Sequence, residues 1–547
     1  TQAYTNLGAV RMTQGEPDAA RTAFEKAIEL MPGDPDMLNN LATVKLRQGE
    51  VEEAIADFER VVSLKPELAE AHNNLAQALR RKGRISDALE SMERSLAARP
   101  DSPEHLDNLG NVLRDLGRVD EAAAIYRKVL ALKPDFLITH NKLIHTLRFM
   151  AESSSSEIKA EADKFGDFVR SRAEPFADWN VRRDPAKRLR VGMVSGDFRG
   201  HVVARYLESF LGRIDRSRVE LAAYSTSAIE DAATVRLKPH FAIWHKVGEL
   251  DDGSLAGLIH DDAVDILIDL SGHTPGNRLP MFAYKPAPVQ ATWLGLFATT
   301  GVPGMDYIIA DPYLVPGDEA QYFTEEVWPL AESWFCLNPP DVAIQPGPLP
   351  ALANGTVTFG CFNILHKITD VVVALWARVL MAVPGSRLFL KTRQLSDNLV
   401  SQNTLARFAV HGIGPERLVL EGQSPLADYL AAYNRVDVAL DPFPFHGATI
   451  SLDGLWMGVP VVTLRGDRMG AHLGESIAHA AGLSDWIADD DEGYVAMAAA
   501  LTSDLHRLAE LRAGLRERVL ASSLYDGARF ARHFEDALRG MWQRACD

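Results

Sequence analysis

The chain has 547 residues and a formal net charge of −17 at neutral pH, and 47% of its residues are hydrophobic. This length exceeds what one hydrophobic core supports, so we expect several domains. The negative charge argues against a broad nucleic-acid surface, and no segment approaches the roughly 20 apolar residues of a membrane helix. The three cysteines are widely spaced, which indicates neither a disulfide framework nor a zinc site and favours a reducing compartment, the cytoplasm.

A period of 34 residues runs through residues 1–148. The residues that keep this interval are Leu7, Leu41, Leu75, Leu109 and Leu143, with Gly15, Gly49, Gly83 and Gly117, and Pro32, Pro66, Pro100 and Pro134. Such a period, with a small residue at the turn between two helices and a closing proline, is typical of tetratricopeptide repeats. We therefore predict an α-solenoid over residues 1–148, built from helix pairs such as 40–48 and 51–64. The array begins in mid-unit at Thr1, so we expect further residues to precede it.

A column of asparagines follows the same interval on the first helix of each unit: Asn6, Asn40, Asn74 and Asn108. Asparagine is disfavoured inside helices, and first helices line the concave surface of such solenoids. The carboxamides are therefore candidates to bind the backbone of an extended acceptor peptide. Local helix contacts are the alternative, and both interpretations stay open at this point. Lys142 takes the next position of the column.

Residues 149–188 are polar and charged, and we predict a helical connector. Short β-rich runs then alternate with helix-length stretches, which indicates parallel sheets with crossovers. The predicted strands are 189–195, 219–225, 266–270, 289–294 and 307–310, then 357–362, 386–390, 418–420, 436–440 and 461–464. We predict two doubly wound, Rossmann-like lobes, residues 189–345 and 346–547, the second carrying the terminal helices. Ligands bind in such lobes at the carboxyl ends of the strands.

The turn that follows strand 436–440 carries the most specific chemical pattern. It leads through Gly447 into a helix, whose free N–H groups and dipole suit a diphosphate. Asp453 follows Thr449 by one helical turn and could accept hydrogen bonds from ribose hydroxyls. Lys367, just after the first strand of the same lobe, supplies a cation for the phosphates. The alternatives are an ordinary capped helix and a solvated loop lysine.

Together these patterns resemble the O-linked N-acetylglucosamine transferase family. The similarity lies in residues 365–367, 447–453, 286–295 and 305–307. That family joins tetratricopeptide repeats with an asparagine ladder to a two-lobed glycosyltransferase of the GT-B fold. The family's long insert between the lobes is absent here, as in bacterial-type members. The resemblance implies transfer of N-acetylglucosamine from UDP-GlcNAc to Ser/Thr hydroxyls of proteins, with inversion and with no cofactor beyond the donor.

The resemblance also implies roles for individual residues. Lys367 matches the lysine that contacts the diphosphate, and Asp453 matches the ribose-binding aspartate. The remaining substrate-binding candidates are Ser424, Pro425, Leu426 and Tyr429 near the uracil, and Gly447, Ala448, Thr449 and Ile450 near the phosphates. The chain departs from the family pattern at four positions, where Ile364, Leu426, Tyr429 and Ala448 replace a glutamine, a lysine and two histidines. Tyrosine can still stack on a base, but fewer polar donors predict weaker donor binding.

His201 matches the histidine proposed as general base, and it follows the first strand of the first lobe at the cleft side. Imidazole near its ordinary pKa accepts a proton at neutral pH. His201 could instead cap a helix, and the proton could pass to a donor phosphate oxygen while His201 orients the sugar. His260 is a further substrate-binding candidate, and His273 a further cleft candidate.

We expect no metal in the reaction. The acidic run 489–491 lies in a predicted surface loop, and a helix dipole with Lys367 can neutralise a leaving diphosphate. The alternative to an active transferase is a weak or inactive scaffold that binds partner proteins through its repeats.

Overall fold

The computed structural model describes residues 1–295 and 297–547. It shows helical repeats followed by two lobes with parallel sheets, which confirms the predicted fold class. The helices of the repeats and the connector are α1 (Gln2–Thr13), α2 (Pro17–Leu30), α3 (Pro35–Gln48), α4 (Val51–Leu64), α5 (Ala69–Lys82), α6 (Ile85–Ala98), α7 (Pro103–Asp115), α8 (Val119–Leu132), α9 (Leu137–Leu147) and α10 (Ser155–Arg170).

Two of the repeat glycines occupy the helix turns that the sequence predicts. Gly49 and Gly83 end α3 and α5 in the left-handed region, at φ of 87° and 88°, where only glycine is unstrained. Phe58 of α4 is fully buried, as is Ala54 one turn before it. Helix α3 begins five residues earlier than predicted, because the Asp34 side chain accepts from the N–H groups of Asp36 and Met37 and caps it.

The first lobe contains one seven-stranded parallel sheet in the order β3-β2-β1-β4-β5-β6-β7. Its elements are β1 (Leu189–Ser195), α11 (Val202–Phe210), β2 (Val219–Ser225), α12 (Ala232–Leu237), β3 (Ile243–Lys246), α13 (Asp252–Asp261), β4 (Ile266–Asp269), α14 (Leu279–Phe282), β5 (Val289–Thr292), β6 (Tyr307–Ala310) and β7 (Glu326–Pro329). The sequence did not predict β3 or β7. Both are four-residue edge strands that are not fully buried, so they lack the apolar run of the central strands.

The second lobe contains a six-stranded parallel sheet in the order β10-β9-β8-β11-β12-β13. Its elements are α15 (Pro350–Asn354), β8 (Thr358–Cys361), α16 (Asp370–Ala382), β9 (Arg387–Lys391), α17 (Asn398–Ala409), β10 (Leu418–Glu421), α18 (Leu426–Ala432), β11 (Val438–Leu440), α19 (Thr449–Trp456), β12 (Val461–Leu464), α20 (Leu473–Ala480), β13 (Ile487–Ala488), α21 (Asp491–Ser503), α22 (Leu505–Leu520) and α23 (Gly527–Cys546). The strand order reverses direction between β1 and β4 in the first lobe and between β8 and β11 in the second. Ligands bind beside such switch points.

The solenoid packs on both lobes. Its contact with the second lobe includes Ser86, whose N–H and hydroxyl both donate to Asp397, at 3.1 and 2.9 Å. Helix α10 joins the solenoid to the first lobe, and a Cβ added to Gly166 would lie 1.7 Å from the carbonyl oxygen of Gly301. The connector is therefore a packed element rather than a loose linker.

The last helix crosses back to the first lobe. We expected α23 with the second lobe because it follows that lobe in the chain. In the structure, the Phe534 ring lies 5.2 Å from the Phe210 ring and 4.8 Å from the Trp293 ring, both of the first lobe. Apolar burial against the first sheet decides this position. Across the described ranges, no helix is both long and apolar enough to span a membrane.

Candidate active site

The two switch points bring four loops to the cleft between the lobes. In the first lobe they are residues 196–201 after β1 and 270–273 after β4, and in the second they are 362–367 after β8 and 441–447 after β11. The lobes touch here, since the Phe297 ring lies 5.8 Å from the Phe445 ring. The sequence therefore places its main candidates, Lys367 and His201, at the correct edges of the two sheets.

Lys367 is a buried cation rather than a solvated one. Its side chain is held by three groups: Nζ donates to the backbone carbonyl of His446 at 2.6 Å and to Asn363 Oδ1 at 3.3 Å, and it lies 4.4 Å from the centre of the Phe445 ring. Burial lowers the pKa of Lys367, while the charge of Asp441 opposes that shift. The ammonium group is therefore fixed in place before any ligand binds.

Asp441 is a site residue that the sequence analysis missed. It is 1% exposed, and its carboxylate accepts from the Gly447 N–H at 2.8 Å and from the hydroxyls of Ser451 and Thr463 at 3.3 Å each. Burial raises its pKa, and the nearby Lys367 opposes that rise. Its position directly after β11, at a switch point, was the available signal.

Ser451 and Asp441 together explain why residue 447 is glycine. A Cβ at this position would lie 2.4 Å from Ser451 Oγ and 3.1 Å from Asp441 Oδ1. The glycine therefore lets the chain pass close to the buried carboxylate and enter α19.

The start of α19 is open to an anion. Ala448 occupies the N-cap position, and no side chain of the described residues caps the helix. Ala448, Thr449 and Ile450 are partly exposed. Uncapped N–H groups at a helix start carry a partial positive charge and bind phosphate. Lys367, bound to the carbonyl just before Gly447, adds a full charge beside them.

Asp453 lies one turn into α19 and is 5% exposed. Its carboxylate accepts from the Tyr429 hydroxyl at 3.2 Å, and its other oxygen lies 3.7 Å from Arg205 of the first lobe. Burial raises the pKa of Asp453 to about 6, although Arg205 and Tyr429 act to lower it. Arg205 was also missed, although it follows His201 by one helical turn on α11.

Residues 424–426 form the approach to α18, the helix that carries Tyr429. Ser424 Oγ is buried and has no hydrogen-bond partner among the described residues, while Leu426 is 52% exposed. Ile364, at the cleft beside Lys367, is 42% exposed. Apolar side chains therefore stand where the related pattern has a lysine and a glutamine.

His201 caps α11, as the alternative interpretation proposed. Its Nδ1 accepts from the Val203 N–H at 3.3 Å, and the same nitrogen lies 3.4 Å from Asp197 Oδ2. Burial lowers the pKa of His201, and the neighbouring Asp197 opposes that shift. A neutral imidazole that accepts through Nδ1 carries its proton on Nε2. In this geometry His201 offers an N–H donor, not a free base, through Nε2.

His260 lies away from the cleft, and its predicted role in substrate binding is wrong. It stands at the end of α13, just before β4 begins, so it is at the opposite edge of the sheet from the switch point. Its ring stacks on Phe176 at 4.2 Å, and Nε2 lies 3.1 Å from the carbonyl oxygen of Asp178. His273, by contrast, follows β4, and its Nδ1 pairs with Asn141 of the solenoid at 2.6 Å.

The asparagine column pairs across neighbouring repeats. The Nδ2 of Asn74 donates to Asn39 Oδ1 at 3.2 Å, and that of Asn108 donates to Asn73 Oδ1 at 2.9 Å. Lys142 continues this pattern by pairing with Asp107. Asn40, Asn74 and Asn108 are partly exposed and Asn6 is exposed, where it accepts from Gln2. Asn74 and Asn108 thus serve packing and remain partly exposed to a ligand.

The acidic run 489–491 is engaged in surface structure. Asp489 accepts from Arg465 at 3.1 Å, and Asp490 caps α21 by accepting from the Gly493 N–H at 2.7 Å. Within the described residues, no three His, Cys, Asp or Glu side chains are grouped to hold a metal ion.

Comparisons with known proteins match both the repeats and the two lobes. The family model of glycosyl transferase family 41 matches residues 171–338 and 339–534. Tetratricopeptide models match residues 1–66, 33–101 and 73–135. A solved mutant of the Thermobaculum terrenum O-GlcNAc transferase is 36% identical, with a TM-score of 0.88 over 94% of this chain and 98% of that one.

Two curated relatives are plant proteins named as probable UDP-N-acetylglucosamine–peptide N-acetylglucosaminyltransferases. SPINDLY of Petunia hybrida is 37% identical over 74% of this chain and 44% of its own length. SEC of Arabidopsis thaliana is 30% identical over 66% of this chain and 38% of its own length. The chain therefore spans about two fifths of the length of these relatives. The family match covers most of the chain and confirms the resemblance seen in the sequence, so this protein belongs to glycosyl transferase family 41.

Proposed function

We propose that this chain transfers N-acetylglucosamine from UDP-GlcNAc to Ser/Thr hydroxyls of acceptor proteins, with inversion and without a metal or other cofactor. The observation that carries the proposal is the buried ammonium of Lys367, 2.6 Å from the His446 carbonyl and beside the uncapped start of α19. The family and the names of the relatives supply the donor and acceptor classes.

The second lobe would hold the donor by its diphosphate and ribose. The N–H groups of the first turn of α19 would bind the phosphate oxygens, and Asp453 with Tyr429 would bind the ribose hydroxyls. As the bond from the sugar to the diphosphate breaks, negative charge grows on the leaving oxygen. Lys367 stabilises that charge without moving, because its position is already fixed.

The acceptor hydroxyl must lose a proton as it attacks the anomeric carbon. The Nδ1 of His201 accepts from the Val203 N–H, so its Nε2–H would donate to the sugar and orient it. The proton would then pass to a phosphate oxygen of the donor. The other tautomer, with Nδ1–H on Asp197, would make Nε2 a base. We propose the route in which Nε2–H donates to the sugar, because the hydrogen bond from the Val203 N–H to Nδ1 caps the start of α11.

Ligand-induced stabilisation and a transfer assay together test the function. Any ligand that binds only the native state raises its melting temperature. We expect UDP and UDP-GlcNAc to raise it, GDP at equal concentration to raise it less, and mass spectrometry to show one N-acetylhexosamine added per modified Ser/Thr. A larger shift with GDP would contradict the uridine donor. A rise in melting temperature with UDP but no transfer would favour the scaffold alternative. The exposed apolar side chains of Ile364 and Leu426 are the structural argument for that alternative.

We place the protein in the cytoplasm, with acceptor proteins bound along the repeats. The compartment is proposed from the three cysteines, which are all free and of which Cys336 and Cys361 are buried. The acceptor surface is proposed from the partly exposed asparagine column.

A further inference from the structure

A cavity of about 900 Å³ lies between the solenoid and the first lobe. Its solenoid wall comes mainly from α7 and α9, and its other wall comes from the loops that follow β3 and β4, residues 250–252 and 273–280. A volume of this size falls in the range of ligand-binding clefts.

The cavity lies between the asparagine column and the candidate donor site. At one side it is lined by Asn111, whose Nδ2 lies 3.5 Å from Asn108 Oδ1 of the column. At another it is lined by His145, whose ring centre lies 6.4 Å from that of His366, the residue before Lys367. The cavity therefore lies beside both the asparagine column and the segment that carries Lys367.

Most charges along the cavity are already paired. The lining cations are Arg80, Arg114, Lys142 and Arg278, and the lining carboxylates are Asp251 and Asp252. Arg80 pairs with Asp115 at 3.0 Å, Arg278 pairs with Asp252 at 2.7 Å, and Lys142 pairs with Asp107. Asp251 caps α13 by accepting from the Ser254 N–H at 2.7 Å.

Arg114 is the exception among these cations. Across the described residues it has no carboxylate within salt-bridge distance, and its Nε is buried without a hydrogen-bond partner. Its neighbour Arg148 is a second positive group. Burial and then the charge of Arg114 lower the pKa of Arg148, and the Nε and Nη1 of Arg148 also lack hydrogen-bond partners in the described chain. A partly buried guanidinium without a counter-ion suits a carboxylate, which it can bind through two parallel hydrogen bonds.

We propose that Arg114 selects acceptor polypeptides that carry an aspartate or glutamate close to the modified Ser or Thr. The acidic side chain pairs with Arg114 in the cavity, while the backbone lies along the asparagine column and the hydroxyl points towards the donor. This specificity rests on the proposed transfer function and narrows its acceptor class.

The test uses serine peptides that differ only in having Glu, Gln or Lys at one position, scanned from five residues before to five after the serine. For the wild-type chain we expect kcat/KM to be about tenfold higher with Glu than with Gln at one or two positions, as for a hydrogen bond between charged groups. Arg114→Met should abolish this preference, and Arg114→Glu should reverse it in favour of Lys.

Two controls separate specificity from folding and from overall charge. Hydrolysis of the donor without acceptor should stay near wild type in both Arg114 variants, and the melting temperature should not fall, because Arg114 holds no other described side chain and lies near the positive Arg148. Arg94→Glu changes the net charge as Arg114→Glu does, but Arg94 lies outside the cavity with a side chain that is 61% exposed. It should keep the preference for Glu.

Equal kcat/KM for Glu and Gln peptides at every position would overturn the proposal, as would a Glu preference that survives Arg114→Glu. These outcomes leave the transfer function intact. A wild-type chain that neither hydrolyses the donor nor modifies any peptide overturns the proposed function, and the acceptor preference with it.

Discussion

Arg205 of the first lobe lies 3.7 Å from Asp453 of the second, so an ion pair crosses the cleft where we propose that the donor ribose binds. Asp453 also accepts from Tyr429 at 3.2 Å. The carboxylate that would hold the ribose therefore also joins the two lobes.

Donor affinity should depend on the charge of Asp453. Burial raises its pKa to about 6, so the carboxylate that accepts from ribose is lost as the pH falls through that value. We expect the dissociation constant for UDP, measured by calorimetry between pH 5 and 8, to rise below pH 6. Asp453→Asn should bind weakly at every pH.

The free energy of unfolding depends on the ionisation of Asp453 in the opposite direction to donor affinity. A raised carboxyl pKa means that folding favours the neutral form, so its stabilising contribution is full below the ordinary pKa and is lost as pH rises through 6. Asp453→Asn should therefore melt no lower than the wild type at pH 8. A lower melting temperature at pH 8 together with unchanged UDP affinity would contradict the assignment.

Replacing Lys367 by methionine should lower donor turnover by a factor on the order of 10² to 10³, as for the loss of one preorganised contact to the leaving group. Methionine keeps an apolar side chain near the Phe445 ring and removes the buried charge. The Asp441 carboxylate still accepts three hydrogen bonds, from Gly447, Ser451 and Thr463. The melting temperature should therefore change little. Steady-state hydrolysis of UDP-GlcNAc is the measurement, and wild-type turnover in the variant would refute the role.

Transfer should survive EDTA. In the proposed mechanism Lys367 and the start of α19 meet the charge of the leaving diphosphate, and the described residues offer no grouped metal ligands. The measurement is product formation before and after chelation. Complete loss of activity that manganese or magnesium restores would show a metal requirement that these residues do not account for.

Replacing Asn40, Asn74 and Asn108 by alanine should weaken glycosylation of protein acceptors but not hydrolysis of the donor. The change removes the inter-repeat hydrogen bonds to Asn39 and Asn73, each worth about 1 kcal/mol. Alanine stabilises the helix by about 0.5 kcal/mol per site relative to asparagine, because its helix propensity is higher. Melting should therefore shift only slightly. A strong fall in melting temperature with a parallel loss of both activities would make the column purely structural.

His472 should make the contact between the lobes sensitive to alkaline pH. Its Nε2 pairs with Glu319 of the first lobe at 2.8 Å and its Nδ1 with Glu475 at 3.0 Å. Burial acts to lower its pKa, but the two carboxylates outweigh burial and raise the pKa to about 9. The stabilisation is full below the ordinary value near 6.5 and is lost as pH rises through 9.

Thermal melts of the wild type between pH 7 and 10 should therefore show a fall that His472→Gln lacks. The variant should melt lower than the wild type at pH 7 and approach it near pH 10. Parallel curves for the two proteins would contradict the role of the protonated His472.

The sequence alone determined the features that are local or periodic. The 34-residue period predicted the helix pairs, because each repeat position meets the same neighbours in every unit. The strands β1, β2, β6 and β12 are mostly apolar, and their predicted bounds match the structure. The candidate anion-binding turn could be recognised in the sequence because it spans adjacent residues, from β11 into α19.

Tertiary structure decided everything that joins distant segments. The position of α23 on the first lobe, the pairing of Arg205 with Asp453, and the displacement of His260 from the cleft each depend on how whole elements pack. The same holds for Arg114, which ordinary sequence patterns would place on a solvated helix. Its lack of a counter-ion became visible only once α7, α9 and the first lobe enclosed a common cavity, because ion pairing depends on distance in space rather than along the chain.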